Sequence, residues 1–177
     1  QYGYSSRGFL PGARSVFDVL RENGYDLILV MGSDSSFSGA RRLFSGHGQF
    51  EIRDLGYWTG KGWSLAQHQG TGWGFNDRFV LERAAETYRE KKRAGRPFAL
   101  FVETIDTHAP NGWCPPGRAR YQDVRDAFAW SDENLASFVK RIAPEASGRT
   151  VLGMAGDHFF MGEPAYLKPR KDRRIFC

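Results

Sequence analysis

The chain has 177 residues, 41% of them hydrophobic, so it can bury one sizeable core, and length alone favours one domain. No apolar run approaches the ~18 residues that a membrane-spanning helix needs, and the first residues lack the basic-then-apolar pattern of a secretion signal. The net charge of +5 is modest and dispersed, which gives no reason to expect a strongly charged partner.

The densest positive charge lies in two short runs, residues 89–93 and 168–174. Such runs could meet nucleic acid or anionic lipid, but a solvated helix end and a surface loop are the commoner interpretation. No signature of a nucleic-acid-binding module accompanies them, so no nucleic-acid partner is predicted. Cys114 and Cys177 form no CxxC pair, which disfavours zinc or thioredoxin-like chemistry.

The first part of the chain predicts a helix, a buried strand and a second, short helix. A turn at 10–12 precedes apolar residues at helical spacing over 16–20, and Asn23-Gly24 is typical of a helix end. The continuous apolar run 27–31 is typical of a strand that is covered on both faces. The short helix is predicted to run through 41–44.

The region 56–74 is rich in glycine and tryptophan and has no clear period, which is typical of a loop. A strong helix is predicted over 78–94, capped by Asn76 or Asp77 and ended by Gly95. Five residues are predicted to form its buried face: Phe79, Leu81, Ala84, Ala85 and Tyr88.

The rest of the chain predicts a strand over 98–105, a helix over about 121–142 and a strand over 150–154. The alternation of helices and strands implies right-handed crossovers and a mostly parallel sheet. We therefore predict an α/β fold in which helices sandwich that sheet. The apolar stripe of the helix over 121–142 is predicted to consist of Phe128, Leu135, Phe138, Val139 and Ile142.

Each of the last two predicted strands ends in a segment that pairs a histidine with a carboxylate. Asp106-Thr107-His108 follows the first strand, and Gly156-Asp157-His158 follows the second. Ligands gather at the carboxyl ends of the strands in an open α/β sheet, so the two segments suggest one shared polar site. Neutral imidazole with carboxylate suits a divalent metal that activates phosphate or sulfate esters.

Taken singly, each of these residues has a purely structural alternative. Asp157 could cap a following helix with His158 packed beside it, or both could reach one metal ion because Gly156 permits a turn. His108 could bind an anionic substrate oxygen or a metal, or it could be a hydrogen-bonded loop residue. Asp106 could orient His108 or satisfy loop amides.

The remaining candidates are weaker. His47 is predicted to lie at a helix end, and Arg41 could hold a phosphate through its fork geometry or lie on a solvated helix face. No GxSxG, Walker or GxGxxG motif is present, so a serine hydrolase and a P-loop NTPase are poorly supported. Four tryptophans could form a platform for carbohydrate or a lipid headgroup, or simply pack in the core and loops: Trp58, Trp63, Trp73 and Trp113.

Eight short segments follow one another in order along nearly the whole chain: FLPGA (9–13), DVLRENGY (18–25), FSG (37–39), SGHG (45–48), WGFND (73–77), DTHAPNG (106–112), SDEN (131–134) and GDH (156–158). Together they resemble the periplasmic phosphoglycerol transferases. Those enzymes decorate osmoregulated glucans and are relatives of lipoteichoic acid synthase and the sulfatases, in the alkaline phosphatase superfamily. The resemblance implies that residues 1–177 are part of a sulfatase-like catalytic domain.

The resemblance also implies roles for individual residues. Asp157 and His158 are expected to be two ligands of a divalent metal, most consistent with Mn²⁺, and His108 is expected to contact the transferred phosphoglycerol group. Arg41 is the other candidate for substrate binding. A threonine nucleophile, a glutamate ligand and a membrane-spanning part are expected upstream of the segment that matches 9–12. With further strands expected downstream, the fold is predicted to be incomplete and the 177 residues alone inactive.

The implied reaction transfers phosphoglycerol from phosphatidylglycerol to a periplasmic glucan. The threonine attacks phosphorus and releases diacylglycerol, and the group then passes to a sugar hydroxyl. The catalytic domain is accordingly expected in the periplasm, attached to the inner membrane. Two alternatives stay open: a sulfatase or phosphodiesterase with water as the final acceptor, and a non-catalytic binding domain of the same fold.

The chain departs from its apparent relatives at several positions. Lipoteichoic acid synthases have a histidine just after the strand that ends here in Met31-Gly32, and their headgroup-binding tryptophan and arginine meet Phe37 and the 38–40 stretch. These differences favour the glucan-decorating branch. Relatives in that branch can carry a cysteine near position 114 and another where this chain has Trp130, so whether Cys114 is in a disulfide stays open.

Overall fold

The computed structural model describes residues 4–5, 8–110, 112–146 and 148–157. The chain divides into two compact units, residues 1–105 and 106–177. The prediction that both belong to one sulfatase-like catalytic domain stays a prediction.

The first unit is an α/β structure built on a parallel sheet of three strands in the order β4-β3-β5. Strands β1 and β2 form a separate antiparallel pair. The predicted class, α/β with a mostly parallel sheet flanked by helices, is confirmed. The strands are β1 (Tyr4–Ser5), β2 (Gly8–Phe9), β3 (Asp26–Met31), β4 (Glu51–Arg53) and β5 (Phe98–Glu103); the helices are α1 (Val16–Glu22), α2 (Ala40–Gly46), α3 (Leu55–Gly60) and α4 (Asp77–Ala94).

The central strand β3 is covered on both faces, as its continuous apolar run predicted. Residues 27–31 are all buried, and β3 pairs with β5 along its whole length, from Asp26 opposite Phe98 to Met31 opposite Glu103. Because side chains alternate across a strand, Leu27, Leu29 and Met31 share one face. They pack there with a cluster of further apolar residues: Phe17, Leu20, Phe44, Phe50, Ile52, Ala99 and Phe101.

Helix α4 is the longest element of the first unit and begins and ends where its capping residues predict. The side chain of Asn76 accepts a hydrogen bond from the amide of Phe79, and Gly95 ends the helix with φ of 74°. All five residues of the predicted face are buried. The buried carboxylate of Asp77 accepts a hydrogen bond from the amide of Ile105 at 2.6 Å, so α4 fixes the chain just beyond β5.

Strand β4 and helix α3 are among the short elements that were not predicted. Strand β4 has three residues, and α3 occupies the start of the glycine- and tryptophan-rich region that was predicted to be a loop. Both depend on contacts distant in sequence: Trp58 is buried and donates its indole hydrogen bond to the Met31 carbonyl at 3.0 Å, while the buried guanidinium of Arg53 pairs with Glu90 of α4 at 2.8 Å. Elements this short carry too few residues to show a period.

The second unit contains helix α5 (Val124–Ile142) and a 3-10 turn (Ala143–Glu145). Phe138 and Ile142 of the predicted stripe are buried, but Phe128 is 44% exposed, so its place in the stripe was wrong. The buried face instead includes Val124 and Ala127, one turn apart, and Phe128 lies about 100° around the helix from Ala127.

The predicted strand over 150–154 is wrong as well. The structure gives these residues no strand structure, and Val151 is 95% exposed. An apolar run becomes a strand only when a neighbouring strand satisfies its amides and carbonyls, and the described residues show no such pairing for this run. Within the described ranges, no helix is both long and apolar enough to cross a membrane.

The capping box of α1 yields a test of pH dependence. Asp18 accepts hydrogen bonds from the Ser15 amide at 2.8 Å and from Nδ1 of buried His47 at 2.9 Å. The Ser15 amide, then His47 and the Ser15 hydroxyl, hold the pKa of Asp18 well below its usual value. A carboxylate with a lowered pKa stabilises the folded state above the ordinary aspartate pKa of about 4 and loses that contribution as the pH falls through the lowered value.

We therefore expect Asp18→Asn to lower the urea midpoint at pH 6, and this deficit to begin shrinking only below about pH 4 and to be much smaller at about pH 2. The matched control is Asp132→Asn, because Asp132 is exposed on α5. An Asp18→Asn deficit that stays constant from pH 6 down to about pH 2 would contradict this assignment.

Candidate active-site loop

The segment that follows β5 forms a closed loop on a buried carboxylate. Asp106 is 1% exposed and accepts a hydrogen bond from the indole nitrogen of Trp130, on α5, at 3.0 Å. The backbone carbonyl of Asp106 accepts a second hydrogen bond from the amide of Trp113 at 2.6 Å. One residue therefore binds both the far end of the loop and the neighbouring helix.

Gly112 lets the loop close, because it has φ of 64° and lies against α5. A side chain at this position would overlap Ala127 and would lie 2.8 Å from the Asp106 carbonyl oxygen. The Gly112 amide donates to the His108 carbonyl at 3.0 Å, and the Ala109-Pro110 peptide is cis. These contacts define the backbone that carries His108.

His108 is half-buried, and its Nδ1 lies 2.7 Å from the carbonyl oxygen of Ala109. A carbonyl can only accept, so Nδ1 carries the hydrogen of this contact. In the neutral ring Nε2 is then the nitrogen that accepts. Whether His108 binds substrate stays a prediction, and the loop geometry is compatible with it.

The other predicted strand-end segment is described only in part. Asp157 is exposed, and His158 lies outside the described residues. A carboxylate and an imidazole are donors that Mn²⁺ accepts, so their chemistry fits part of a ligand set. Within the described ranges, however, no three His, Cys, Asp or Glu side chains form a group that could hold a metal ion. The convergence of Asp157, His158 and His108 on one site stays a prediction.

Arg41 lies at the start of α2 and forms an ion pair with Asp54 at 2.6 Å. Asp54 is itself buried and accepts a hydrogen bond from the hydroxyl of fully buried Ser35 at 2.5 Å. Burial alone would raise the pKa of Asp54, but the hydrogen bonds from Ser35 and from the Tyr57 amide, with the charge of Arg41, lower it. Arg41 is still 51% exposed, so an anion could reach its guanidinium.

The loop after β3 is joined to the turn before α4 by two glycines that touch through their backbones. Ser33 and Gly74 form an isolated bridge, and the Phe75 amide donates to the Gly32 carbonyl at 3.0 Å. A side chain on Gly74 would overlap the Gly32 carbonyl, and one on Gly32 would lie 2.8 Å from a methyl group of Val80. This junction fixes the segment that follows the central strand.

The sequence indicated several of these residues but did not indicate their hydrogen-bond and ion-pair partners. Asp106 was expected to orient His108 or to satisfy loop amides; the sequence did not indicate that its carboxylate also binds the Trp130 indole. The Asp54 contacts to Ser35 and Arg41 had no sequence signal beyond the capping position of Asp54. His47 does cap the end of α2, as predicted, and among the described residues Cys114 is a free cysteine.

The chain has clear sequence similarity to known proteins. No protein-family profile matches it. Phosphoglycerol transferase I of Xanthomonas campestris pv. campestris (strain B100) is 35% identical over 162 residues, which are 86% of this chain and 23% of that protein. The chain is homologous to part of phosphoglycerol transferase I. The resemblance predicted from its eight segments is thus confirmed.

Two solved structures show the fold that the chain shares with other proteins. A protein of the alkaline phosphatase superfamily from Vibrio parahaemolyticus matches with a TM-score of 0.58 and 24% identity, over 75% of this chain and 32% of that one. The lipoteichoic acid synthase LtaP from Listeria monocytogenes matches with a TM-score of 0.62 and 15% identity, over 80% of this chain and 36% of that one. The chain therefore spans about a quarter of its phosphoglycerol transferase relative and has an alkaline phosphatase-like fold.

Proposed function

We propose that the chain is part of a metal-dependent phosphoglycerol transferase that moves phosphoglycerol from phosphatidylglycerol to a periplasmic glucan. The observation that carries this proposal is the 35% identity to phosphoglycerol transferase I over 162 residues. The alkaline phosphatase-like fold supports it, because the solved structures that share this fold include a lipoteichoic acid synthase. The whole protein would act at the inner membrane, with this domain in the periplasm.

His108 is proposed to bind the transferred group. The loop fixes its backbone through the hydrogen bonds of Gly112 and Trp113, and the Ala109 carbonyl holds its Nδ1. The ring would then present Nε2 to an oxygen of the phosphate, as a donor when the ring is protonated. Arg41 is proposed as a further substrate-binding residue, and an anion bound there would compete with Asp54 for the guanidinium.

Asp157 and His158 are proposed to hold a divalent metal, most consistent with Mn²⁺. Such an ion would lower the pKa of the nucleophile and offset charge on the phosphate oxygens. The proposal places the threonine nucleophile and the remaining ligand outside these 177 residues, since a carboxylate and an imidazole fall short of the three or more protein ligands usual for a catalytic metal.

The test uses the intact transferase that carries this chain, supplied with phosphatidylglycerol labelled in its headgroup and with an osmoregulated glucan. We expect label to appear on the glucan and unlabelled diacylglycerol to be released, both requiring added Mn²⁺. The control omits the glucan, and label should then remain largely on the lipid. Label released as free glycerol phosphate at the same rate with and without glucan would instead identify a hydrolase of the same superfamily.

A further inference from the structure

The buried pair of Asp106 and Trp130 links the His108 loop to helix α5. Trp130 is 6% exposed and Asp106 is 1% exposed, and the indole N–H to carboxylate distance is 3.0 Å. Burying a carboxylate is costly unless donors satisfy it, and a hydrogen bond to a charged acceptor is stronger than a neutral one. The indole is a donor that does not titrate, so it serves the carboxylate at every physiological pH.

The hydrogen bonds of Asp106 reach both ends of the loop. Its carbonyl oxygen binds the Trp113 amide, and Gly112, the residue before Trp113, binds the His108 carbonyl. A shift of Asp106 would therefore move Trp113 and Gly112, and through them the backbone of His108.

Further contacts hold the indole of Trp130 in place. Its ring lies 6.4 Å from that of Trp113, edge to face, and the guanidinium of Arg118 lies 5.6 Å from its centroid. Arg118 is paired in turn with Glu133, also on α5, at 3.2 Å. An aromatic ring of either size at position 113 can make this edge contact, whereas the hydrogen bond to Asp106 needs the indole N–H of Trp130.

We propose that Trp130 is a positioning residue for the transfer reaction: its indole N–H holds the carboxylate of Asp106, which fixes the loop that carries His108. This inference rests on the proposed function of His108. It assigns no contact between Trp130 and substrate, so its effect should appear in turnover more than in substrate binding.

The test compares Trp130→Phe with Trp113→Phe in the intact transferase. Each variant replaces one indole of the same aromatic pair by a phenyl ring. Trp113, however, binds Asp106 through its backbone amide, which the substitution retains. We expect Trp130→Phe to lower kcat by roughly 100-fold, the order of effect that a misplacement of about 1 Å produces, with little change in KM for the lipid. Trp113→Phe should stay within about threefold of the unsubstituted enzyme.

A pH profile separates positioning from a merely structural role. A carboxylate that loses a hydrogen-bond donor has a higher pKa. On acidification, the activity of Trp130→Phe should therefore begin to fall at a higher pH than that of the unsubstituted enzyme, while Trp113→Phe should keep the original profile. Equal losses of kcat in both variants with unchanged profiles, or a rise in KM alone for Trp130→Phe, would overturn the proposal.

A second measurement does not depend on the proposed function. The indole N–H resonance of Trp130 should lie downfield and exchange slowly, and Asp106→Asn should move it upfield. If the enzyme shows no transfer but this resonance behaves as expected, the proposed function fails while the Asp106–Trp130 link stands. A resonance that Asp106→Asn leaves unchanged would overturn the link itself.

Discussion

In an intact transferase carrying this chain, His108→Ala will lower turnover by at least ~100-fold while most of the bound metal is retained. That magnitude is typical when one group that stabilises charge in a transition state is removed. The loop holds the backbone of His108 through Gly112 and Trp113, neither of which depends on the imidazole ring, so the substitution should leave the loop folded. Steady-state kinetics with labelled phosphatidylglycerol and metal analysis of the purified protein measure the two effects.

Asp157→Ala and His158→Ala should differ from His108→Ala by losing metal together with activity, because each removes a proposed ligand. His68→Gln is the matched control: the His68 ring packs against Trp63 at 4.8 Å and has no proposed part in the reaction. If His108→Ala strips the metal as completely as Asp157→Ala, then His108 is a ligand and its assignment to substrate is wrong.

The second large effect is expected for Gly112→Ala, which should destabilise the folded chain by about 3 kcal/mol. A positive φ costs a residue with a side chain about 1 kcal/mol, and forcing an added methyl group into a packed position costs roughly 1–3 kcal/mol more. At Gly112 both apply, because φ is 64° and the new methyl would overlap Ala127 of α5. The free energy of unfolding, from urea titration, measures the loss.

Gly117→Ala isolates the steric part of this effect. Gly117 also has a positive φ, 85°, but a side chain there would meet open space. Its replacement should therefore cost only about 1 kcal/mol. Similar losses at both positions would mean that the contact between the loop and α5 contributes little, and the account of how the loop is held would have to change.

Helix ends and apolar runs made much of the fold predictable. Asn76 and Gly95 mark the ends of α4 because capping is decided by local chemistry, and the run 27–31 has no polar residue that could face solvent. The same kind of run misled at 150–154, where the residues are as apolar as a strand requires but have no strand structure. Hydrophobic periodicity shows which residues of a segment could be buried, but not which other segment would pair with it.

In the candidate site, too, some features could be predicted from the local sequence and others could not. His108 and Asp106 stood out because they follow a strongly apolar strand, and the structure places them on one tightly bonded loop. The partner of Asp106 could not be found in this way, since Trp130 is an aromatic residue on a helix and reads as ordinary core. Pairings that cross from one element to another leave no local pattern in the sequence.

The backbone junction of Gly32 and Gly74 has a consequence for how this protein can change over evolutionary time. A methyl group at either position would lie too close to backbone atoms of the other segment. A smaller side chain elsewhere therefore cannot make room for it. Both sites are expected to stay glycine in any lineage that keeps this fold, however far the surrounding loops diverge. Finding the two together would therefore help to recognise distant members whose overall identity has fallen too low to be informative.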